Sequence, residues 1–387
     1  MPAVDVAALT ATAAALCRPG RGILASDEST GTLGKRLAGA GVSNTPENRR
    51  AYRELFYTAP GIEEGLSGAI LFHEAVYQAT SAGVGFVDTL RDKGILVGIK
   101  LDRGLVPLVP PSVVGGGGEA GRETGGGNTS PSSAETTTSG LDGLADRCAA
   151  YYDAGVRFAK WRCLLRISPA AGHPSALAIS DNAVGLARYA RIAQAAGLVP
   201  IIEPEIAIDG SHDAAVAAAV TEEVLSVVYR TLQVYGVVLE GTLLKPQMVL
   251  PGMDHPAFAG GDVSDVAELT LRTLRRTVPP AVPGIMFLSG GQSEARATAC
   301  LAAINRAACG GGGDEDGEGG VRGRSAPWAL SFSFGRALQS SVLSRWVAGD
   351  AAGASRLATA LAVANGRATL GEDGNRGFRD GTDPDGT

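Results

Sequence analysis

Eight short runs of apolar and β-branched residues recur along the chain, each followed by a longer stretch with helical spacing. The runs are GILASD (22–27), GAILF (68–72), LVGIKL (96–101), RFAKWRC (157–163), LVPIIEPE (198–205), VVLEGTLLKP (237–246), GIMFLSGG (284–291) and WALSFSFG (328–335). Between them lie Ala-rich segments such as PENRRAYRELFY, GLDGLADRCAAYYDAG, DNAVGLARYARIAQAAG, TEEVLSVVYRTLQVYG and VAELTLRTLRRTV. Several close on glycine, at Gly155, Gly197 and Gly236, where a helix C-cap belongs. Strand and helix alternate eight times, which predicts an α/β chain with a parallel sheet, and eight units close a (β/α)8 TIM barrel. A doubly wound open sheet is the alternative, but it would carry a glycine-rich fingerprint after the first strand, and none follows residue 27.

The polar residues sharpen this pattern. Asp27, Lys100, Lys160, Glu203, Glu205, Lys245, Ser289 and Arg336 all fall at, or just past, the C-terminal ends of their runs. A barrel gathers those ends on one rim, the rim on which such enzymes carry their chemistry. The structural alternative is a ring of ion pairs that only satisfies itself. Lysine usage adds a second signal, because the chain has five lysines against twenty-nine arginines. Arg serves wherever a plain positive charge is enough, whereas only Lys can lose its proton. Three of the five, Lys100, Lys160 and Lys245, sit at these strand ends.

Three lysines and three carboxylates facing one cavity predict mutual depression of the ammonium pKa values, helped by burial. A free lysine is only roughly 0.1 per cent neutral at physiological pH, so an amine that attacks a carbonyl to form a Schiff base needs such help. Glu203 and Glu205 are two apart on one strand and share a face, as a proton-shuttling pair requires. Phosphate recognition is the second theme. The loops after the seventh and eighth runs, LSGGQSE and SFGRALQ, offer Ser289, Gly290, Gly335 and Arg336. Close backbone approach and a guanidinium fork suit an oxyanion. Opposite them, DESTGTLGKR supplies Ser29, Thr30, Lys35 and Arg36, and Lys100 and Arg162 add a second cationic pole.

Composition excludes several classes. The 387 residues carry a formal charge of −6 with no basic stripe, which argues against a nucleic-acid partner. No apolar run is long enough to span a bilayer. The N-terminus has no basic residue before Arg18 and predicts an amphipathic helix, not a targeting segment. Five scattered cysteines without a CxxC pair argue against disulfides and zinc. His73, His173, His212 and His255 lie in four separate segments and predict packing or surface roles, so no metal or cofactor is expected.

Long stretches of the chain resemble class I fructose-bisphosphate aldolases. They include GILASDESTGTLGKRL, ENRRAYRELFYTAPG, GAILFHEAVYQ, GIKLDRGLVPL, ETTTSGLDGLADRC, GVRFAKWRCLLRI, NAVGLARYARIAQAAGLVPIIEPEI, LEGTLLKPQMV, RRTVPPAVPGIMFLSGGQSE and PWALSFSFGRALQ, and span about residues 20 to 346. The resemblance implies reversible cleavage of fructose 1,6-bisphosphate into dihydroxyacetone phosphate and glyceraldehyde 3-phosphate without a metal. It implies Lys245 as the Schiff-base lysine, Glu203 as the acid/base with Glu205 and Lys160 assisting, and Asp27 as the carboxylate that takes the hydroxyl proton. Ser289, Gly290, Gly335 and Arg336 would hold the ketose C1 phosphate, and Lys100, Ser29 and Arg162 the far end. Another sugar phosphate, such as sedoheptulose bisphosphate or fructose 1-phosphate, or a quiet scaffold on the same fold, are the competing readings. The resemblance also implies a homotetramer, with a phosphorylated sugar as partner and the cytoplasm, or alternatively a plastid, as compartment.

Three features depart from the family. PPSVVGGGGEAGRETGGGNTSPSSA (110–134) interrupts the loop after the third run, and GGGGDEDGEGGVRGRS (310–325) precedes the eighth. Their composition predicts flexible inserts. The chain divides into a barrel over 1–346 and a C-terminal helix and tail over 347–387. Family members end in a tyrosine-bearing tail, whereas this sequence ends RGFRDGTDPDGT with no Tyr after Tyr235, which predicts slowed proton exchange at the enamine.

Overall fold

The computed structural model describes residues 4–109, 135–309 and 326–373. Among the described residues ten strands are formed: β1 (Gly22–Ser26), β2 (Leu66–Leu71), β3 (Leu96–Lys100), β4 (Leu105–Pro107), β5 (Thr136–Thr138), β6 (Phe158–Leu165), β7 (Val199–Ile206), β8 (Leu243–Leu244), β9 (Gly284–Phe287) and β10 (Ala329–Phe334). Eight of them close a parallel barrel in the order β1-β10-β9-β8-β7-β6-β3-β2, with helices in the crossovers. The (β/α)8 expectation therefore holds. Its strands are buried on both faces, inside by the barrel interior and outside by the helices, which is why they read as continuous apolar runs.

The interior below the rim is packed. The first helix (Val6–Leu16) is N-capped by Asp5, whose Oδ1 accepts from the Ala8 amide at 3.0 Å. Its Leu9, Ala13 and Leu16 stack on one face and join Ile23, Ile70, Phe158, Ile201, Leu243 and Met286 in a single cluster. Glycines make room for large rings here. A Cβ at Gly98 would come within 2.2 Å of the Phe158 ring, and one at Gly68 within 3.1 Å of the same ring. This floor supports whatever stands above it on the same strand faces.

Gly155, Gly197 and Gly236 adopt φ values of 94°, 80° and 65°, each just beyond a helix, as their positions predict. The last helix (Ala351–Ala368) is N-capped by Asp350 and buries Ala354, Ala358, Leu361 and Ala362. Thr369 Oγ1 accepts from the Gly20 amide at 3.1 Å, tying the end of that helix to the start of β1.

Two expectations need correction. VVLEGTLLKP is not one strand. Leu239–Gly241 forms a single 3-10 turn, and the strand itself is Leu243–Leu244. Gln194, on the helix Ala176–Ala195, holds this turn. Its side chain donates to Val238 O at 2.7 Å and Gly241 O at 3.1 Å, and accepts from Val238 N at 3.0 Å. Backbone groups satisfied by that amide have no need of a ladder. In addition, β4 and β5 form an antiparallel hairpin outside the barrel that no periodicity announced. The Leu108 amide bonds Glu135 O at 2.9 Å, so the chain positions flanking the first insert are adjacent. The inserts (110–134 and 310–325) and the tail (374–387) lie outside the described residues.

Candidate active site

The β6–β7 pair carries much of the site. It is registered over eight positions, from Phe158 opposite Val199 to Leu165 opposite Ile206. Side chains two apart share a face. Phe158, Lys160 and Arg162 therefore point inward together, and so do Val199, Ile201, Glu203 and Glu205. Phe158, Val199 and Ile201 belong to the packed floor, and the charged residues stand directly above it. This corrects a detail of the sequence reading. Lys160 and Glu203 lie inside their strands, not at the ends, because the ladder continues beyond them to Leu165 and Ile206.

Barrel closure brings the remaining groups to them. Asp27 follows β1 directly, and its Oδ2 lies 2.7 Å from Lys160 Nζ. Lys160 Nζ is also 3.2 Å from Glu203 Oε2, and the other oxygen of Glu203 is 3.1 Å from Lys245 Nζ. All four side chains are at least nine-tenths buried. Lys245 follows β8, and its amide donates to Ile202 O at 2.8 Å. Beside this group Arg162 Nε donates to Glu205, and Lys100 Nζ to Asp102.

The electrostatics differ from expectation at Lys160. Burial alone would depress its ammonium, but Asp27 and Glu203 outweigh burial and raise it, so Lys160 is held protonated. The crowding of lysines does not make it a neutral amine. For Asp27 burial pushes the carboxyl up, yet Lys160 and Lys245 prevail and bring it down to about 2. Glu205 is likewise held low by Arg162 against the opposing effect of burial. Glu203 Oε2 is buried and accepts no hydrogen bond despite its proximity to Lys160.

That cavity has a volume of about 820 Å³ and is lined by Asp27, Ser29, Lys100, Lys160, Arg162, Glu203, Glu205, Lys245, Ser289, Gly290, Gly335 and Arg336, and by Thr30 and Arg36; of the residues singled out from the sequence, Lys35 does not line it. On one side Gly290 and Gly291 adopt φ values of 52° and 76°, turning the chain after Ser289. Gly335 is the N-cap of the helix Arg336–Val347, so that helix presents its N-terminus to the cavity. A Cβ at Gly335 would sit 3.3 Å from Ala25 O, which favours glycine there. Next along the rim, where β1 pairs with β10, Ser29 caps the helix Thr30–Gly39 by accepting from the Thr32 amide at 3.2 Å. Two helix N-termini and two cationic poles thus face one cavity with a buried lysine–carboxylate cluster between them.

The family model described as fructose-bisphosphate aldolase class-I matches residues 8–115 and 123–381. The chain belongs to this family. It is 51% identical over 366 residues to the fructose-bisphosphate aldolase cytoplasmic isozyme of Cicer arietinum, covering 94% of this chain and 90% of that one. Against the cytosolic fructose-bisphosphate aldolase 6 of Arabidopsis thaliana the identity is 50% with the same coverage. A co-crystal structure of the Plasmodium falciparum fructose-bisphosphate aldolase, in complex with TRAP and a small-molecule inhibitor, superposes with a TM-score of 0.82 at 46% identity over 95% of both chains.

Some residues that line the aldolase cavity were not singled out. Ser333 on β10 is fully buried with an unpartnered hydroxyl, and in sequence it reads as an ordinary strand position. Asp102 lies beyond the end of β3 in LDRG, among turn residues. His73 lines the cavity mouth, where its Nδ1 and the Tyr151 hydroxyl are 2.8 Å apart, so it is a surface histidine that also faces the site. All five cysteines are free thiols, and burial pushes Cys17 up to about 12. Among the described residues no helix is long and apolar enough to cross a membrane.

Proposed function

We propose that this chain cleaves fructose 1,6-bisphosphate reversibly to dihydroxyacetone phosphate and glyceraldehyde 3-phosphate through an imine on Lys245. The observation that carries the reading is the chain of contacts from Lys245 through Glu203 and Lys160 to Asp27, buried between two cationic poles. The curated relatives named above as fructose-bisphosphate aldolases support the substrate.

The chemistry follows from those contacts. Attack on the C2 ketone needs the neutral amine of Lys245, and Glu203, 3.1 Å away, is the base within reach. The same carboxyl returns the proton to the carbinolamine hydroxyl, which leaves as water and gives the iminium. Asp27 then accepts the C4 hydroxyl proton as the C3–C4 bond breaks. The aldehyde departs, and the electron pair moves into the iminium to form the enamine of dihydroxyacetone phosphate. Protonation at C3 and hydrolysis complete the cycle. Lys160, kept protonated between Asp27 and Glu203, holds Asp27 ionised and both carboxylates in place. Glu205 assists Glu203 while bonded to Arg162. Ser289, Gly290, Gly335 and Arg336 take the C1 phosphate, and Ser29, Lys100 and Arg162 take the C6 end. The cytoplasm, named for the plant relatives, is the proposed compartment, and a homotetramer, measurable by sedimentation, the proposed assembly.

Borohydride reduction in the presence of dihydroxyacetone phosphate tests the reading. The expected result is a stable adduct on the peptide containing Lys245, absent in Lys245→Met. An unmodified Lys245 peptide in the active-site-intact protein would sink the proposal.

A further inference from the structure

One carboxylate of the cavity has no part in the proton chemistry, yet it is the most heavily engaged. Asp102 lies just past the end of β3, with its side chain 4% exposed. It takes an ion pair from Lys100 Nζ, which also donates to the Asp102 carbonyl at 3.0 Å. Its Oδ1 accepts from the Gly104 amide at 3.2 Å, and its Oδ2 from the Arg162 amide at 3.4 Å. The β3–β6 ladder runs from Gly98 opposite Phe158 to Lys100 opposite Lys160, and is followed by one more bond from Leu101 N to Lys160 O. Asp102 supplies the next link of that seam with a side chain where the backbone has turned away.

The residues it joins are the two cations of one pole, Lys100 on β3 and Arg162 on β6. A lysine ammonium is a flexible point charge on a four-carbon stem, and holding it in one place costs rotamer entropy. Two of the three Lys100 donors are already committed to Asp102, which aims the third; 16% of the lysine side chain remains exposed. Asp102 also fixes the backbone from which the Arg162 side chain springs.

We infer that Asp102 is a positioning residue for the far phosphate of the substrate: it pre-orders Lys100 and the Arg162 backbone into an anion seat opposite the Arg336 pole. It touches neither the reacting carbons nor Lys245. Its removal therefore weakens ligands that carry a phosphate at both ends and spares those anchored only at the Arg336 end. This inference rests on the aldolase reading for the identity of the ligand, but its test needs no turnover.

The test is calorimetric binding of hexitol 1,6-bisphosphate and hexitol 1-phosphate to the full chain and to Asp102→Asn. Asparagine keeps one oxygen, which can accept from one of the two amides, and loses the charge that holds Lys100. The expected result is an increase of about tenfold in Kd for the bisphosphate, the scale of one charged hydrogen bond, with less than about a twofold change for the monophosphate. In turnover, KM for the bisphosphate should rise more than kcat falls. In a Lys100→Met background the same substitution should add little, because the shared partner is gone. Equal losses for both ligands, or no loss for either, overturn the inference and leave Asp102 a brace of the seam. Should Asp102→Asn fail to fold, Asp102→Ser, which also keeps a neutral acceptor, gives the same comparison. Wild-type protein that binds both ligands but traps no imine would count against the aldolase reading alone.

Discussion

The β6–β7 pair and β8 solve different problems on the same rim. The pair is laddered over eight positions and carries Lys160, Arg162, Glu203 and Glu205 on one inward face. By contrast β8 is two residues long, and Lys245 hangs just beyond it on one backbone bond to Ile202 O. Charges whose value depends on spacing sit on the most extensively paired backbone. The lysine that must gain and lose a covalent partner sits just past the shortest strand, where the ladder thins to single bonds and the Gln247–Leu288 bridge. Rigid elements hold charged groups in fixed register.

Substitutions can break this contrast, and the largest effect belongs to the short strand. Lys245→Met is expected to lower kcat by at least about four orders of magnitude while leaving the thermal midpoint nearly unchanged, since the volumes are similar. A variant that keeps measurable imine formation would place the nucleophile elsewhere. Next comes Glu203→Gln on the long pair, with a loss of about 10² to 10⁴ in kcat and an undiminished ability to bind bisphosphate. If binding fails along with turnover, Glu203 shapes the cavity and does not move protons.

Phe158 tests the support beneath both. It is fully buried and fills the space left by Gly98, so Phe158→Ala should cost about 3 to 5 kcal/mol of stability. Lys160 stands above it on the same face, so the variant should also impair turnover at temperatures where it remains folded. Loss of stability with kinetics intact would show that the floor and the charges are uncoupled.

The smallest effect concerns Asp27. Its carboxyl is held down to about 2, against an ordinary value of 3.8, because the lysines outweigh burial. A depressed folded pKa stabilises the protein above the unfolded value, and the benefit disappears as pH falls through the folded one. The stability gap between wild type and Asp27→Asn should therefore shrink by about 2 kcal/mol between pH 4 and 2. A gap that stays constant with pH would mean that the Lys160 contact contributes nothing to folding.

Much of this was legible beforehand. Periodicity located the barrel strands because parallel strands buried on both faces leave unbroken apolar runs, and Gly155, Gly197 and Gly236 marked helix ends because a positive φ favours glycine there. The candidate site was visible because a charge terminating an apolar strand has few structural uses. The misses share one cause. The Gln194 clasp on the turn before β8 reaches across 44 residues, and the Asp102 contact to Arg162 across 60. Neither partner is marked by local sequence.

By itself, then, the chain's sequence determined the eight barrel strands and which polar side chains would reach the barrel mouth, since both follow from local periodicity and the alternation of faces. Tertiary structure alone decided how those groups are paired. Which carboxylate neutralises which lysine, why Lys160 stays protonated, and why Lys100 is already aimed before a ligand arrives all depend on ångström distances between strands that only barrel closure brings together, and Coulomb energies in a buried site change steeply over that range.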